Sequence, residues 1–391
     1  MPLLLHLADI HLGARHAHLG GAAVKQRERQ LAAFARAIDE GQQANVDAVL
    51  ICGDLFDSNA QPRRSVERVV SELKRLTDGG TRVVIIPGSH DVYDRDSIYR
   101  AFDLASMAGL PAGSELLTLL TPERPELLLK DLDLIVYGRV FATKPSSSPL
   151  EGFSARSDER ASWKVGMVHG SRHVPGEVER DDVTFTDAEI ASSGLDYLAL
   201  GHRHSFSMGR AGETTWAYPG APEPLAADED GAGSVCLVRL EDGAGAASSV
   251  HVERVRVGRT VFRAESVDAS SLTGRHELVR RLRELADPDL ALQASIDGIA
   301  PDALELDVDE VERELAPSFL HVRVRDRSAA ELHAAPDLPT DTVAGKFVAD
   351  MRSRLRDAEA RGDAEAAERA RQILRLGRRL LLDEPGHLTR P

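Results

Sequence analysis

Residues 3–13 read LLLHLADIHLG and residues 48–57 read AVLICGDLFD. Each is an apolar run of strand length that ends on a turn carrying aspartate, the pattern of a buried strand presenting a carboxylate at its C-terminal end. Between them, Ala22 to Gln43 has helical spacing at Leu31, Phe34 and Ile38. The order strand, helix, strand is then repeated by a helix over Val66 to Leu76 and a strand over Arg82 to Ile86. Crossover units of this kind build a parallel α/β sheet, so functional side chains are expected just beyond strand ends.

Working outward, Glu126 to Leu240 breaks into short extended segments at Leu127 to Val136, Lys164 to Val168, Leu195 to Leu200, Thr215 to Tyr218 and Ser234 to Leu240. Thr143 to Ala161 and Asp228 to Gly233 read as solvated loops. Residues 1–258 form the expected core domain. Residues 259–326 are expected as a small module, with helices near Arg275 to Leu285 and Asp307 to Leu315 and a strand at Phe319 to Val324. A connector over 327–341 leads to a helical region over 342–391. Its first helix carries Val343, Phe347, Met351 and Leu355 as one apolar stripe, and its second carries Ala366, Ala370, Ile373 and Leu380.

The composition fits a folded soluble chain of two to three domains: 391 residues, 42% hydrophobic, with 48 basic against 63 acidic side chains for a net charge of −15. Two distant cysteines, Cys52 and Cys236, argue for a reduced compartment. No apolar run approaches the roughly 20 residues a membrane span needs, and a cytoplasmic protein is expected. Excess acid disfavours phosphate partners, except that bound cations reverse the local sign.

Aspartate and histidine concentrate in five places, each after an apolar run: Asp9 and His11 in DIHLG, Asp54 and Asp57 in GDLFD, His90 and Asp91 in PGSHD, His169 in MVHGS, and His202 and His204 in GHRH. Any one alone reads more simply as structure or solvent, and His6, His16, His18 and His173 are assigned there. Together they make a mixed carboxylate and imidazole donor set, suited to Mn²⁺, Fe or Zn²⁺ rather than Ca²⁺.

In order and spacing the five segments resemble the calcineurin-like metallophosphoesterase superfamily, with its DxH, GDxxD, GNHD, lone His and GHxH motifs. The resemblance implies a four-layer αββα sandwich with a small α+β capping domain and C-terminal helices. It implies one metal held by Asp9, His11, Asp54 and His204, and a second held by Asp54, His169 and His202. Ser89 stands where the family has an asparagine ligand to that second metal. His90 would stabilise or protonate the leaving oxygen, with Asp91 orienting its imidazole and Asp57 supporting the loop. Two Mn²⁺, or other divalent ions, would activate the attacking water.

The flanking DIHLG, GDLFD with Phe56, DYLALGHRH at 196–204 and YPGAPEPL at 218–225 resemble the SbcD-type DNA-repair nucleases. That likeness implies a Mn²⁺-dependent exonuclease, and endonuclease, acting on DNA. It also implies a homodimer and an SbcC-type SMC-like ATPase bound through the C-terminal helices. Within the capping module, Arg275, Arg280, Arg281 and Arg283 form a local basic helix, and Arg280 and Arg281 are the expected phosphate contacts. Two other readings stay open: a general phosphodiesterase of small nucleotides, and a scaffold weakened in catalysis, for which Ser89 is the hint.

Overall fold

A computed structural model of the chain describes all residues except 141–147, 174–182, 228, 230, 243–248, 301–305, 331–338, 340, 364–365, 368, 371–372, 375–376 and 378–391. The chain divides into two compact units, Met1–Phe262 and Arg263–Pro391.

In the first unit, β1 (Leu3–Leu7), β2 (Ala48–Cys52), β3 (Arg82–Ile86) and β4 (Leu117–Leu119) pair in parallel. The crossovers include α1 (Ala23–Ala44) and α2 (Arg63–Asp78). The region expected as one strand over Leu127 to Val136 is instead a hairpin of β5 (Glu126–Leu129) and β6 (Leu134–Arg139). Lys130–Leu132 forms a single 3₁₀ turn there, and Asp133 takes a left-handed φ of 48° that reverses the chain. Then come β7 (Trp163–His169), the short helix α3 (Asp187–Ser192), β8 (Tyr197–Gly201), β9 (Ser207–Ala211), β10 (Thr214–Tyr218), β11 (Ser234–Glu241) and β12 (Ser249–Arg256).

Two six-stranded sheets result, ordered β12-β11-β1-β2-β3-β4 and β9-β10-β8-β7-β6-β5. Alternation along each strand explains the layers. Leu4, Leu50 and Val84 point from one sheet toward Val136, Val165 and Tyr197 of the other, making a buried interface between sheets. Leu5, Val49 and Val83 point the opposite way, onto Phe34 and Ile38 of α1 and Val69 and Leu73 of α2. The outer face of the second sheet is covered by Ile190 of α3 and by Leu150 and Phe185 from neighbouring segments. This is the αββα layering, with the C-terminal ends of β1, β2 and β3 all opening at one end of the first sheet.

The second unit contains β13 (Val261–Asp268, begun at the unit boundary), α4 (Arg275–Arg283), β14 (Asp287–Asp297), α5 (Val308–Leu315), β15 (Phe319–Asp326) and α6 (Val343–Ala360). Strand β14 pairs in parallel with β15, as a strand, helix, strand crossover requires. Leu278, Leu282, Val311 and Leu315 from the two helices pack on Leu292, Ile296 and Val324. On α6 the buried positions are Gly345, Val348, Met351 and Ala358, and Val348 and Met351 pack with Phe347 and Leu374. Val343, expected in the apolar stripe, is 76% exposed because it occupies the first turn, beside the Thr342 cap. Part of the second expected C-terminal helix, including Leu380, and most of the 327–341 connector lie outside the described residues.

Candidate metal centre

The loops after β1 and β2 are laced together beyond the strands themselves. Asp9 N–H donates to the Gly53 carbonyl at 3.1 Å, His11 N–H to Asp54 O at 2.9 Å and Leu12 N–H to Leu55 O at 3.0 Å. Asp9, His11, Asp54 and His202 all have positive φ, between 49° and 95°. Such backbone costs an ordinary side chain energy and persists only where surrounding structure imposes it, as at functional sites. Two glycines permit the crowding. A Cβ on Gly53, whose φ is +83°, would lie 2.3 Å from His169 Nδ1, and one on Gly201 would lie 1.9 Å from the Cys52 carbonyl oxygen.

From those turns the side chains converge. Donor atoms of Asp9, His11 and His204 lie within 4.8 Å of one another, as do those of Asp9, Asp54 and His169. Asp54 is nearly inaccessible, and its Oδ2 faces His169 Nε2 at 3.1 Å, Ser89 Oγ at 3.2 Å and His11 Nε2 at 3.7 Å. Its Oδ1 accepts from His90 N–H at 2.7 Å. Asp9 accepts the His202 N–H on both oxygens, at 2.9 and 3.0 Å. The His202 ring stands edge-on to His169, with centroids 5.2 Å apart.

These residues fit divalent cations. His11 Nε2 and His204 Nε2 are 3.1 Å apart, so at most one of the two can carry a proton toward the other. His169 donates from Nδ1 to the Cys52 carbonyl at 2.9 Å, leaving Nε2 directed at Asp54. Facing lone pairs and buried carboxylates repel unless a positive charge lies among them. In the ion-free chain protons supply that charge. Burial opposes the charged form of His169, but the charge and hydrogen bond of Asp54, with Asp9 and the Cys52 carbonyl, lift its pKa to about 10. Burial likewise opposes protonation of His204, and Glu229 with Asp9 and Asp54 raises it to about 9. Asp54 is pushed up by burial yet held far below the usual carboxylate range by His169, His11 and the His90 N–H.

Ser89 lies where the sequence positions it, its hydroxyl between Asp54 Oδ2 and His169 Nε2, which is 3.4 Å away. The expectation for Asp91 needs correction. Its carboxylate does not reach the His90 ring; it accepts from Tyr99 Oη at 2.6 Å, Gly88 N–H at 2.7 Å and Phe56 N–H at 3.1 Å. Asp91 is fully buried and pins the PGSHD turn, and burial together with nearby Asp54 raises its pKa. The His90 imidazole is held by Asp57 instead, donating from Nδ1 to the Asp57 carbonyl at 3.0 Å, with Asp57 Oδ1 at 3.9 Å. Asp57 Oδ1 also lies 3.3 Å from His11 Nδ1, so this residue touches both rings.

The arginines of the basic helix are paired with acids. Arg280 is paired with Glu277 and Glu284, Arg281 with Glu277, Arg283 with Glu314 and Arg275 with Glu310. The Arg280 and Arg281 guanidinium groups stay at the surface, and Glu277 is drawn down to about 2 by them.

Sequence reasoning missed three supports. Glu229 lies in the loop read as solvated, yet its side chain is 11% exposed and meets His204 Nδ1 at 2.6 Å. Tyr99 carries no motif. Gln30 on α1 ties the first loop, donating to the Ile10 and His11 carbonyls at 3.3 and 3.2 Å and bonding His16 Nε2 at 2.7 Å.

Comparison with known proteins fits this geometry. The calcineurin-like phosphoesterase family model matches residues 2–206, just over half of the chain. The DNA double-strand break repair protein Mre11 of Aeropyrum pernix is 30% identical over 65% of this chain and 62% of its own length. A component of the SbcCD nuclease of Bacillus subtilis is 26% identical over 61% of this chain and 66% of its own length. An uncharacterized metallophosphoesterase of the same organism, YhaO, is 24% identical over 77% and 72%. The chain thus aligns with a little under two thirds of the Aeropyrum repair protein and of the Bacillus nuclease component.

Proposed function

This chain belongs to the calcineurin-like phosphoesterase family, and from that membership we propose that it is a Mn²⁺-dependent DNA nuclease, an exonuclease with endonuclease activity, in an SbcCD-like repair complex. The observation that carries the reading is the convergence of buried carboxylates and imidazoles at strained strand ends, with Asp54 Oδ2 facing His11 and His169 together. Similarity to proteins named as a double-strand break repair protein and a nuclease component supports DNA as the substrate.

We assign Asp9, His11, Asp54 and His204 to one ion, and Asp54, Ser89, His169 and His202 to the other. When bound, two divalent cations supply Lewis acidity toward a phosphoryl oxygen and lower the pKa of water. The chain's own residues do the rest. Asp54 stays ionised, held by the His90 N–H, so it can serve two ions at once. His90 is half exposed; with Nδ1 committed to the Asp57 carbonyl, its Nε2 is left to exchange a proton with the departing oxygen. Asp57 steadies the ring, and Asp91 with Tyr99 fixes the turn that delivers it.

For DNA contact in the small unit we assign Arg280 and Arg281, whose pairs with Glu277 and Glu284 lie on the helix surface where a phosphate can displace them. The C-terminal helical region is the part we assign to docking an SbcC-type SMC-like ATPase, and a homodimer completes the assembly. A cytoplasmic setting is supported by Cys52 and Cys236, both buried free thiols. Among the described residues no helix is long and apolar enough to cross a membrane.

The test is cleavage of end-labelled single- and double-stranded DNA with Mn²⁺ added or withheld. Shortened products only with manganese are expected. Turnover of a chromogenic phosphodiester without DNA cleavage would instead identify a small-nucleotide phosphodiesterase, and no turnover of either would identify a scaffold.

A further inference from the structure

Three of the four imidazoles assigned to the ions differ in what backs them. His169 Nδ1 has a backbone carbonyl, that of Cys52, and His11 Nδ1 faces Asp57 Oδ1 at 3.3 Å. His204 Nδ1 has the carboxylate of Glu229, with Oε1 at 2.6 Å and the pair largely withdrawn from solvent. The other Glu229 oxygen is also committed: Oε2 accepts the Leu225 N–H at 2.7 Å. A carboxylate anchored at both oxygens holds its partner ring in one orientation. Because Nδ1–H donates to it, a neutral His204 keeps its lone pair on Nε2, the atom facing His11 Nε2.

We propose that Glu229 is a positioning residue of the metal centre, fixing His204 as an Nε2 donor and setting the affinity of the ion that His204 holds while leaving the other ion unaffected. The argument rests on the assignment of His204 as a ligand. A carboxylate behind a ligating imidazole fixes its tautomer and raises its basicity, and loss of such a partner typically weakens metal binding by about 10- to 100-fold. Glutamine cannot replace it, because His204 Nδ1–H and Leu225 N–H bond different carboxylate oxygens, and an amide has an acceptor in only one of those two places. If the amide oxygen turns to Leu225, the amide NH₂ faces Nδ1 and drives the ring toward the Nε2–H tautomer, which cannot ligate.

The experiment uses the full chain stripped with a chelator and titrated with Mn²⁺, following free ion by electron paramagnetic resonance. Glu229→Gln is expected to weaken one of the two ions by about 10- to 100-fold, the same ion that His204→Ala removes, with the affinity of the other ion unchanged. Glu229→Asp, which keeps the charge one methylene further back, should lose less and serves if the glutamine variant does not fold. Equal weakening of both ions, or a fall in melting temperature with both affinities intact, would mean a merely structural role and overturn the proposal. Unchanged affinities in Glu229→Gln would overturn it while sparing the metal centre. A wild type that takes up no manganese would remove the centre and this inference together.

Discussion

His6 offers a prediction whose size can be worked out. It alternates with Leu4 and Ala8 on β1, pointing between the two sheets, where it is wholly inaccessible. Its Nδ1 lies 2.8 Å from Tyr197 Oη across the interface, and its Nε2 has no partner. Burial drives its pKa down from the ordinary 6.5 to about 3. The folded state therefore takes the proton far less readily than the unfolded chain. Stability is full above the unfolded value, falls as pH drops below about 6.5, and stops falling near pH 3. Between pH 7.5 and 5.0 the linkage amounts to about 2 kcal/mol from this residue. In His6→Leu nothing titrates there, while Tyr197 Oη loses its partner at every pH, at a constant cost of about 1–3 kcal/mol. The assay is urea denaturation of both proteins in chelator at the two pH values. The wild type should lose about 2 kcal/mol more than the variant on acidification; parallel losses would refute a neutral, desolvated His6.

Four further outcomes are expected. His90→Ala should cut DNA cleavage by about 10²- to 10⁴-fold while both manganese affinities, read by titration, stay put; loss of an ion would contradict its role with the leaving oxygen. Ser89→Asn should tighten the ion near His169, where the Ser89 hydroxyl now lies 3.4 Å from Nε2, and an unchanged affinity would show that serine already suffices. Because His169 and His204 titrate at about 10 and about 9 in the ion-free chain, both are protonated at pH 7.5, so ion uptake should release up to about two protons and tighten as pH rises. Calorimetry in buffers of differing ionisation enthalpy reads that number, and zero release would contradict it. Tyr99→Phe removes a hydrogen bond to buried Asp91 and should lower stability by about 1.5–3 kcal/mol; an unchanged denaturation midpoint would mean that the Gly88 and Phe56 amides hold the carboxylate alone.

The strands that carry the site were legible because buried parallel strands are short apolar runs cut off by turns, and β2 and β3 lie where Ala48 to Cys52 and Arg82 to Ile86 predict them. The β5–β6 hairpin was not, since leucines run through Leu132 and hide a reversal made by the backbone of Asp133. Strand β13 is largely exposed and has too little apolar alternation to announce itself. Within the site, types and order of residues were readable, and their partners were not. Asp91 follows His90 in sequence, yet the turn sends its carboxylate inward to Tyr99, leaving the ring to Asp57. Glu229 sits among glycine and acids, the composition of a solvated loop, and only the approach of the β8 turn brings His204 onto it. The arginines of α4 had acids at helical spacing, Glu277 and Glu284, which the sequence already contained as the simpler explanation.

The central claim is that turns distant in sequence cage two cations around Asp54. Crystals grown with manganese, with data collected at its absorption edge, test it most directly. Two anomalous peaks are predicted, about 3.5–4 Å apart, with Asp54 between them, one beside His11 and His204 and the other beside His169. An absence of anomalous density among these side chains, or a single peak distant from Asp54, would contradict the account.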